Sequence, residues 1–211
     1  SPGYFWLFPV KEGVVNVGVG MLISEQRKQK GMKRSLKQIQ RWVIEEHPQF
    51  KRRFANANLV PKSQKGWQLP FGSPRKKAPS FQPRRAAMAG AMAVGDAASL
   101  VDPFSGEGIG NALLTAKMTS WHFDRGVHSD GFPESAAVAY MEEMWGELGK
   151  ELTNSTRLQR MMKMKRLTNW FVKKASKKEE IGKMMSEMIA SKEAQESLWS
   201  PWFMFKTLIL P

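Results

Sequence analysis

Hydrophobic and polar positions alternate at the start of the chain. Tyr4, Trp6 and Phe8 fall on one face of a strand and Phe5 and Leu7 on the other. Lys11-Glu12-Gly13 reads as a turn and Val14 to Met21 as a returning strand, so residues 3–22 predict a β-hairpin. The period then changes. Met32, Leu36, Ile39, Trp42 and Val43 recur at helical spacing and predict a basic amphipathic helix over 31–47, closed by Pro48. Residues 49–63 read as an irregular basic connection and Gly66-Trp67-Gln68-Leu69-Pro70 as a short strand. Pro70, Gly72, Pro74, Pro79 and Pro83 then mark a loop reaching residue 85. Residues 88–95 predict a buried strand of small residues. A helix over 107–125 follows, with Ile109, Ala112, Leu113, Ala116 and Phe123 inward.

From residue 134 onward the pattern is helical. Met141, Met144, Trp145 and Leu148 mark one helix, and Leu158, Met161, Met162, Leu167 and Trp170 a second. Ile181, Met184, Met185, Met188 and Ile189 mark a third, before a stretch from Leu198 to Leu210 rich in Trp, Phe and Leu. The fold class is therefore α+β. Methionine-rich helices fill irregular cores, and they also adapt to flexible apolar partners, so both a plain core and a cap over a lipid remain open.

Composition narrows the chemistry. In 211 residues, 42% hydrophobic content is enough for a core. With no cysteine, disulfides and thiolate metal sites are excluded, and redox chemistry needs a cofactor. Only His47, His122 and His128 occur, and they form no metal-ligand cluster, so no metal site is expected. No signal peptide is visible and no apolar run approaches the ~20 residues of a bilayer span, so the expected location is cytoplasmic, peripheral to a membrane.

The net charge of +14 is concentrated: residues 27–85 hold seventeen Lys and Arg against Glu45 and Glu46 alone. Such a field attracts an anionic membrane surface, the phosphate head of a substrate, or nucleic acid. No nucleic-acid-binding motif accompanies the charge, so nucleic acid ranks last.

The most specific stretch is Gly95-Asp96-Ala97-Ala98-Ser99-Leu100-Val101-Asp102-Pro103-Phe104-Ser105-Gly106-Glu107-Gly108-Ile109-Gly110. A carboxylate follows a strand, then glycines at alternate positions open a helix. Glycine lets a ligand approach the backbone, and a helix start offers free N–H groups and partial positive charge. That combination suits a ligand with hydroxyls at one end and a developing anion at the other, such as a flavin with its ribityl chain.

This stretch resembles the second FAD-binding fingerprint of the para-hydroxybenzoate hydroxylase-like flavoproteins, and its wording is similar to the geranylgeranyl reductase family within them. Tyr4-Phe5-Trp6-Leu7-Phe8-Pro9, followed after eight residues by Gly18-Val19-Gly20, resembles a second motif of that family. The resemblance implies FAD as cofactor. It places Asp96 on a ribityl hydroxyl, and Gly106, Glu107, Gly108, Ile109 and Gly110 beneath the ring, with Gly95, Ala97 and Pro103 in the same fingerprint. It implies that Tyr4, Trp6, Phe8, Pro9, Gly18 and Gly20 line the path of an isoprenoid chain.

The implied reaction is saturation of prenyl double bonds, with NAD(P)H or a ferredoxin-like protein as electron donor. No side chain is an obvious proton donor; Tyr4 is open to that role and Glu107 less so, and neither is assigned a catalytic role. The implied division is a remainder of the substrate-binding sheet over 1–85, the end of an FAD-binding domain over 86–130, and a helical domain over 131–211. Family members carry an N-terminal Gly-x-Gly-x-x-Gly for the ADP half of FAD, and this sequence has none, so a portion of a longer flavoprotein that purifies without flavin is expected. A flavin monooxygenase or halogenase shares the Gly-Asp fingerprint but not the Tyr-x-Trp-x-Phe-Pro motif. A non-enzymatic membrane- or phosphate-binding module explains the charge but not the residue order around Asp96.

Overall fold

The computed structural model describes residues 3–27, 34–73, 84–124, 128, 130–176 and 183. Met32, the helix expected over 181–189 and the apolar stretch from 198 to 210 lie outside the described residues. The chain divides into two compact units, Ser1–Gly66 and Trp67–Pro211.

The first unit is built on the hairpin of β1 (Gly3–Lys11) and β2 (Val14–Met21). The reversal is made by Glu12 and Gly13, both with positive φ, as a two-residue hairpin turn demands. A bulge between Pro9 and Lys11 shifts the register, so that Trp6 lies opposite Gly18 and Tyr4 opposite Gly20. Without it Trp6 would face Val19. A short helix, α1 (Ile23–Arg27), follows.

Helix α2 (Leu36–Glu45) starts later than the periodicity implies. Ser35 caps it: its hydroxyl accepts from the Gln38 N–H and the Gln38 side chain accepts from the Ser35 N–H, a complete capping box. Its apolar side is anchored by buried Val43, and Gln40 Nε2 donates to the Val17 carbonyl of β2 at 2.8 Å. The second face of β1 is covered locally: the Phe5 ring lies 4.8 Å from Phe50 and 6.5 Å from Phe54.

In the second unit the buried strand expected over 88–95 is replaced by a minimal hairpin, β3 (Ala87–Met88) with β4 (Ala91–Met92). Gly90, at φ +80°, turns the chain in mid-run. The turn is clamped by Glu134, which accepts from the Arg85 guanidinium at 2.7 Å and from the Ala89 N–H at 2.8 Å. The strand expected at 66–70 is also absent; Phe71 instead makes one parallel bridge to Val101.

A 3-10 turn (Gly95–Ala98) leads through the 99–108 loop to α3 (Ile109–His122), then α4 (Glu134–Met162) and α5 (Lys165–Ala175). Ala137, Tyr140, Met144, Leu148 and Leu152 run down one side of α4 at helical spacing and are fully buried against Leu100, Met118 and Phe132.

The inward face assigned to α3 needs correction. Ala112 is inward, but Ile109 and Leu113 are 76% and 69% exposed, Ala116 is exposed and Phe123 is 40% exposed with its ring beside buried Phe132, while Thr115 and Met118 are buried. Thr115 is tolerated there because its hydroxyl donates to the Asn111 carbonyl at 2.7 Å and accepts from the Gly95 N–H at 3.1 Å.

Tyr140 ties α4 to the segment before Asp96. Its phenol donates to the Ala93 carbonyl at 2.9 Å. Burial raises its pKa above the ordinary value of 10.0, opposed by a hydrogen bond with Thr119. Below that ordinary value the phenol is protonated in both folded and unfolded chains, and its contribution is intact. As pH climbs past it the unfolded chain ionises first, so stability falls until the raised folded value is passed. Tyr140→Phe should lose about 0.5–1.5 kcal/mol at neutral pH and should flatten this alkaline fall. Urea melts of both proteins between about pH 8 and pH 11 check the difference.

Candidate functional site

The Gly95–Gly110 residues are brought together at the start of α3. Gly95 is the pivot. It is buried at φ +53°, and a Cβ there would lie 2.7 Å from the Ala112 Cβ. Its N–H is held by Thr115 and its carbonyl accepts from the Leu100 N–H at 3.2 Å. The following turn is closed by the Ser99 N–H donating to the Asp96 carbonyl at 2.9 Å. The backbone of Asp96 is thereby fixed while its side chain stays exposed. Among the described residues no donor engages the Asp96 carboxylate.

Gly108 lies beside that carboxylate. A Cβ at 108 would stand 2.9 Å from Asp96 Oδ1, so a side chain there would crowd the oxygen. Gly108 also precedes the first turn of α3 and supplies no side-chain cap, leaving the first helical N–H groups without an intrahelical acceptor. Gly110 and Ile109 are exposed at this end, as are Glu107 and Ala97. Pro103 is buried, and Gly106, at φ +78°, turns the loop.

Asp102, whose role the sequence reading missed, shapes this loop. It is 6% exposed, and its Oδ1 accepts from the Phe104 N–H at 2.9 Å, the Ser105 N–H at 2.7 Å and the Ser105 hydroxyl at 2.9 Å. Its own N–H donates to the Glu107 carbonyl at 2.7 Å, and its carbonyl accepts from Gly106 at 3.0 Å. Asn111, also missed, donates to the Leu100 carbonyl at 2.7 Å and joins the loop to the helix. The Asp-Pro-Phe-Ser order was the available signal, since aspartate accepts from backbone two and three residues on.

In the first unit Tyr4, Trp6 and Phe8 form a ladder of rings, with centroids 5.5 Å apart for Tyr4–Trp6 and 6.4 Å for Trp6–Phe8. Tyr4 and Phe8 are more than half exposed, so this face is not the local core. Gly18 and Gly20, expected to line the path of the isoprenoid chain, are instead covered by the ladder itself. A Cβ at Gly18 would fall 2.0 Å from the Trp6 ring, and one at Gly20 2.9 Å from the Tyr4 ring. Trp6 is fixed by its indole N–H donating to Asn16 Oδ1 at 2.8 Å. Pro9 pairs with Val15 on the opposite face.

No three acidic, histidine or cysteine side chains converge on a metal position among the described residues, and no described helix is long and apolar enough to cross a membrane.

Comparison with known proteins places the chain. The model of the geranylgeranyl reductase catalytic domain matches residues 1–58. The chain is 30% identical over 174 residues to digeranylgeranylglycerophospholipid reductase of Thermoplasma volcanium, covering 81% of this chain and 35% of that protein. It is 28% identical over 153 residues to digeranylgeranylglycerophospholipid reductase 1 of Methanococcoides burtonii, covering 72% and 32%. It is 31% identical over 124 residues to menaquinone reductase of Mycolicibacterium smegmatis, covering 56% and 25%. The chain thus spans about a third of the length of the first two of these relatives. No solved structure gives a significant match. With the aromatic hairpin inside the matched segment and reductases of this kind similar over most of its length, the chain belongs to the geranylgeranyl reductase family.

Proposed function

We propose that this chain is part of an FAD-dependent oxidoreductase that saturates carbon–carbon double bonds of a prenyl lipid of the geranylgeranyl type. The observation that carries the proposal is the exposed Asp96 carboxylate, without a donor among the described residues, beside Gly108 at a helix start with no side-chain cap. These residues fit the ribityl and ring half of a flavin: a carboxylate for a hydroxyl, and bare backbone where a side chain would close the approach. The names of the reductases to which the chain is similar support the reaction class.

In this reading Asp96 accepts from the ribityl chain. Gly106, Gly108, Ile109 and Gly110 offer backbone to the ring, and Gly95, Ala97, Pro103 and Glu107 complete the turn. When bound and reduced, FAD would supply the hydride for one carbon of the double bond, and a proton taken from solvent would complete saturation at the other. The helix start favours negative charge at its end. The ladder of Tyr4, Trp6 and Phe8, exposed at Tyr4 and Phe8, offers an apolar surface along which a prenyl chain packs, with water displaced from it. Residues 1–85 then serve the substrate side and 86–130 the cofactor, with 131–211 as a third, C-terminal region.

The test is a titration of the chain with FAD and with riboflavin, followed by flavin fluorescence. The site engages the half that both molecules share, and no Gly-x-Gly-x-x-Gly turn is present for the ADP half. Little flavin should be retained on purification, and the two affinities should agree within about threefold, well under the 1.4 kcal/mol of a tenfold difference. Tight binding of FAD with none of riboflavin would contradict the assignment.

A further inference from the structure

From His47 to Gly95 the chain holds no acidic residue at all. Part of this stretch, the connection from 47 to 66, is described within the first unit and has a definite build. Phe50 and Phe54, four residues apart, turn towards Phe5 of β1. Lys51, Arg52 and Arg53, lying between them, are exposed. Further on, Leu59 and Val60 are 74% and 54% exposed. They lead into a tight turn in which the Ser63 N–H donates to the Val60 carbonyl at 3.2 Å.

Pro61 takes the first central position of that turn and Lys62 the second, at φ +59°. That geometry normally selects glycine or asparagine at the second position. A lysine held there puts a cation at the tip, next to two apolar side chains. Lys65 adds another exposed cation at the far end. The base of the turn is not loose: Gln64 Nε2 donates to Gln40 Oε1 at 2.8 Å, and Gln40 in turn donates to the Val17 carbonyl. The structure therefore presents an apolar pair on a braced turn, with cations before and after it in the sequence and no acidic residue between 47 and 95.

We propose that this connection docks on an anionic lipid bilayer, with Leu59 and Val60 entering the headgroup boundary and Lys51, Arg52, Arg53, Lys62 and Lys65 engaging the phosphates. An acidic protein partner would satisfy the charge. It would not by itself explain two exposed aliphatic side chains on a turn whose backbone is held in a disfavoured conformation. The inference goes beyond the flavin reading and stands independently of it.

The experiment uses the 211-residue chain and vesicles free of prenyl lipid and of flavin. Co-sedimentation is measured on phosphatidylglycerol–phosphatidylcholine and on pure phosphatidylcholine vesicles across a salt series. Two variants are compared, Leu59→Ser/Val60→Ser and Lys51→Gln/Arg52→Gln/Arg53→Gln, with far-UV circular dichroism confirming that both remain folded. All five substituted side chains are exposed, so neither variant removes core.

The chain should bind the anionic vesicles at least about tenfold more tightly than the neutral ones, and less so as salt shortens the screening length below about 8 Å. The charge variant should lose about tenfold on anionic vesicles and show a shallower salt dependence. The serine variant should lose the binding that survives at high salt. Serine-variant binding equal to the parent at every salt concentration would overturn the proposal. So would equal binding to the two lipids, or binding to polyglutamate without binding to anionic vesicles; the last would assign the surface to an acidic protein.

Discussion

Gly95→Ala should be among the most damaging single-methyl additions in the second unit. The residue sits at φ +53°, and its new Cβ would meet the Ala112 side chain at 2.7 Å and the Ala112 Cα at 3.1 Å. The left-handed conformation disfavours an L side chain by roughly 1–2 kcal/mol. The clash adds about 1–3 kcal/mol, because the neighbour includes helix backbone and not the end of a flexible side chain. Together the loss is about 2–5 kcal/mol, a large part of the ~5–15 kcal/mol by which domains are stable. Gly90→Ala separates the two contributions. Gly90 has φ +80° and nothing within 4 Å of its Cβ position, so it carries the conformational part alone. Urea denaturation of both variants should place Gly95→Ala at the lower midpoint, and equal midpoints would show that the helix moves aside without penalty.

Asp102→Ala should have the second large effect. It removes the acceptor shared by two backbone N–H groups and the Ser105 hydroxyl in a side chain 6% exposed. A hydrogen bond to a charged group contributes about 1.5–3 kcal/mol, and these three act on one oxygen, so the expected loss is about 2–4 kcal/mol. Asp102→Asn keeps an oxygen in place and should recover more than half of it. The loss should be local as well as global. Amide exchange at Phe104 and Ser105 should accelerate in the alanine variant beyond what the fall in overall stability explains.

The parts of the fold legible in the sequence are those whose signals are local. The β1–β2 hairpin follows from alternation and from Glu12-Gly13. The Ser35–Gln38 capping box was present in the letters, yet the apolar period alone drew the helix start several residues early. Residues 88–95 misled for another reason. A run of alanine, glycine and methionine has little pattern of its own, and one glycine in the left-handed region turns a strand into a hairpin. On α3 the apolar residues Ile109 and Leu113 were placed inward, whereas the buried face is chosen by Gly95 seeking close approach at Ala112 and a hydroxyl at Thr115.

At the candidate sites, the Asp96 and Gly106–Gly110 positions could be named because the motif is contiguous. The partnership of Trp6 with Gly18 could not. It depends on the bulge at Val10, which shifts the hairpin by one residue and moves a tryptophan from a valine to a glycine. Asp102 was hidden for the opposite reason: it lies inside the motif, and its work is to bend the loop.

Whether Asp96 holds the ribityl chain of a flavin is read from the riboflavin affinity of the chain against that of Asp96→Ala. The side chain is exposed and engages no described donor, so its removal should leave the urea midpoint nearly unchanged. Loss of a hydrogen bond from hydroxyl to carboxylate, about 1.5–3 kcal/mol, corresponds to a roughly ten- to hundredfold weaker affinity. The affinity should fall in this way with stability intact. Equal riboflavin affinities in the two proteins would contradict it.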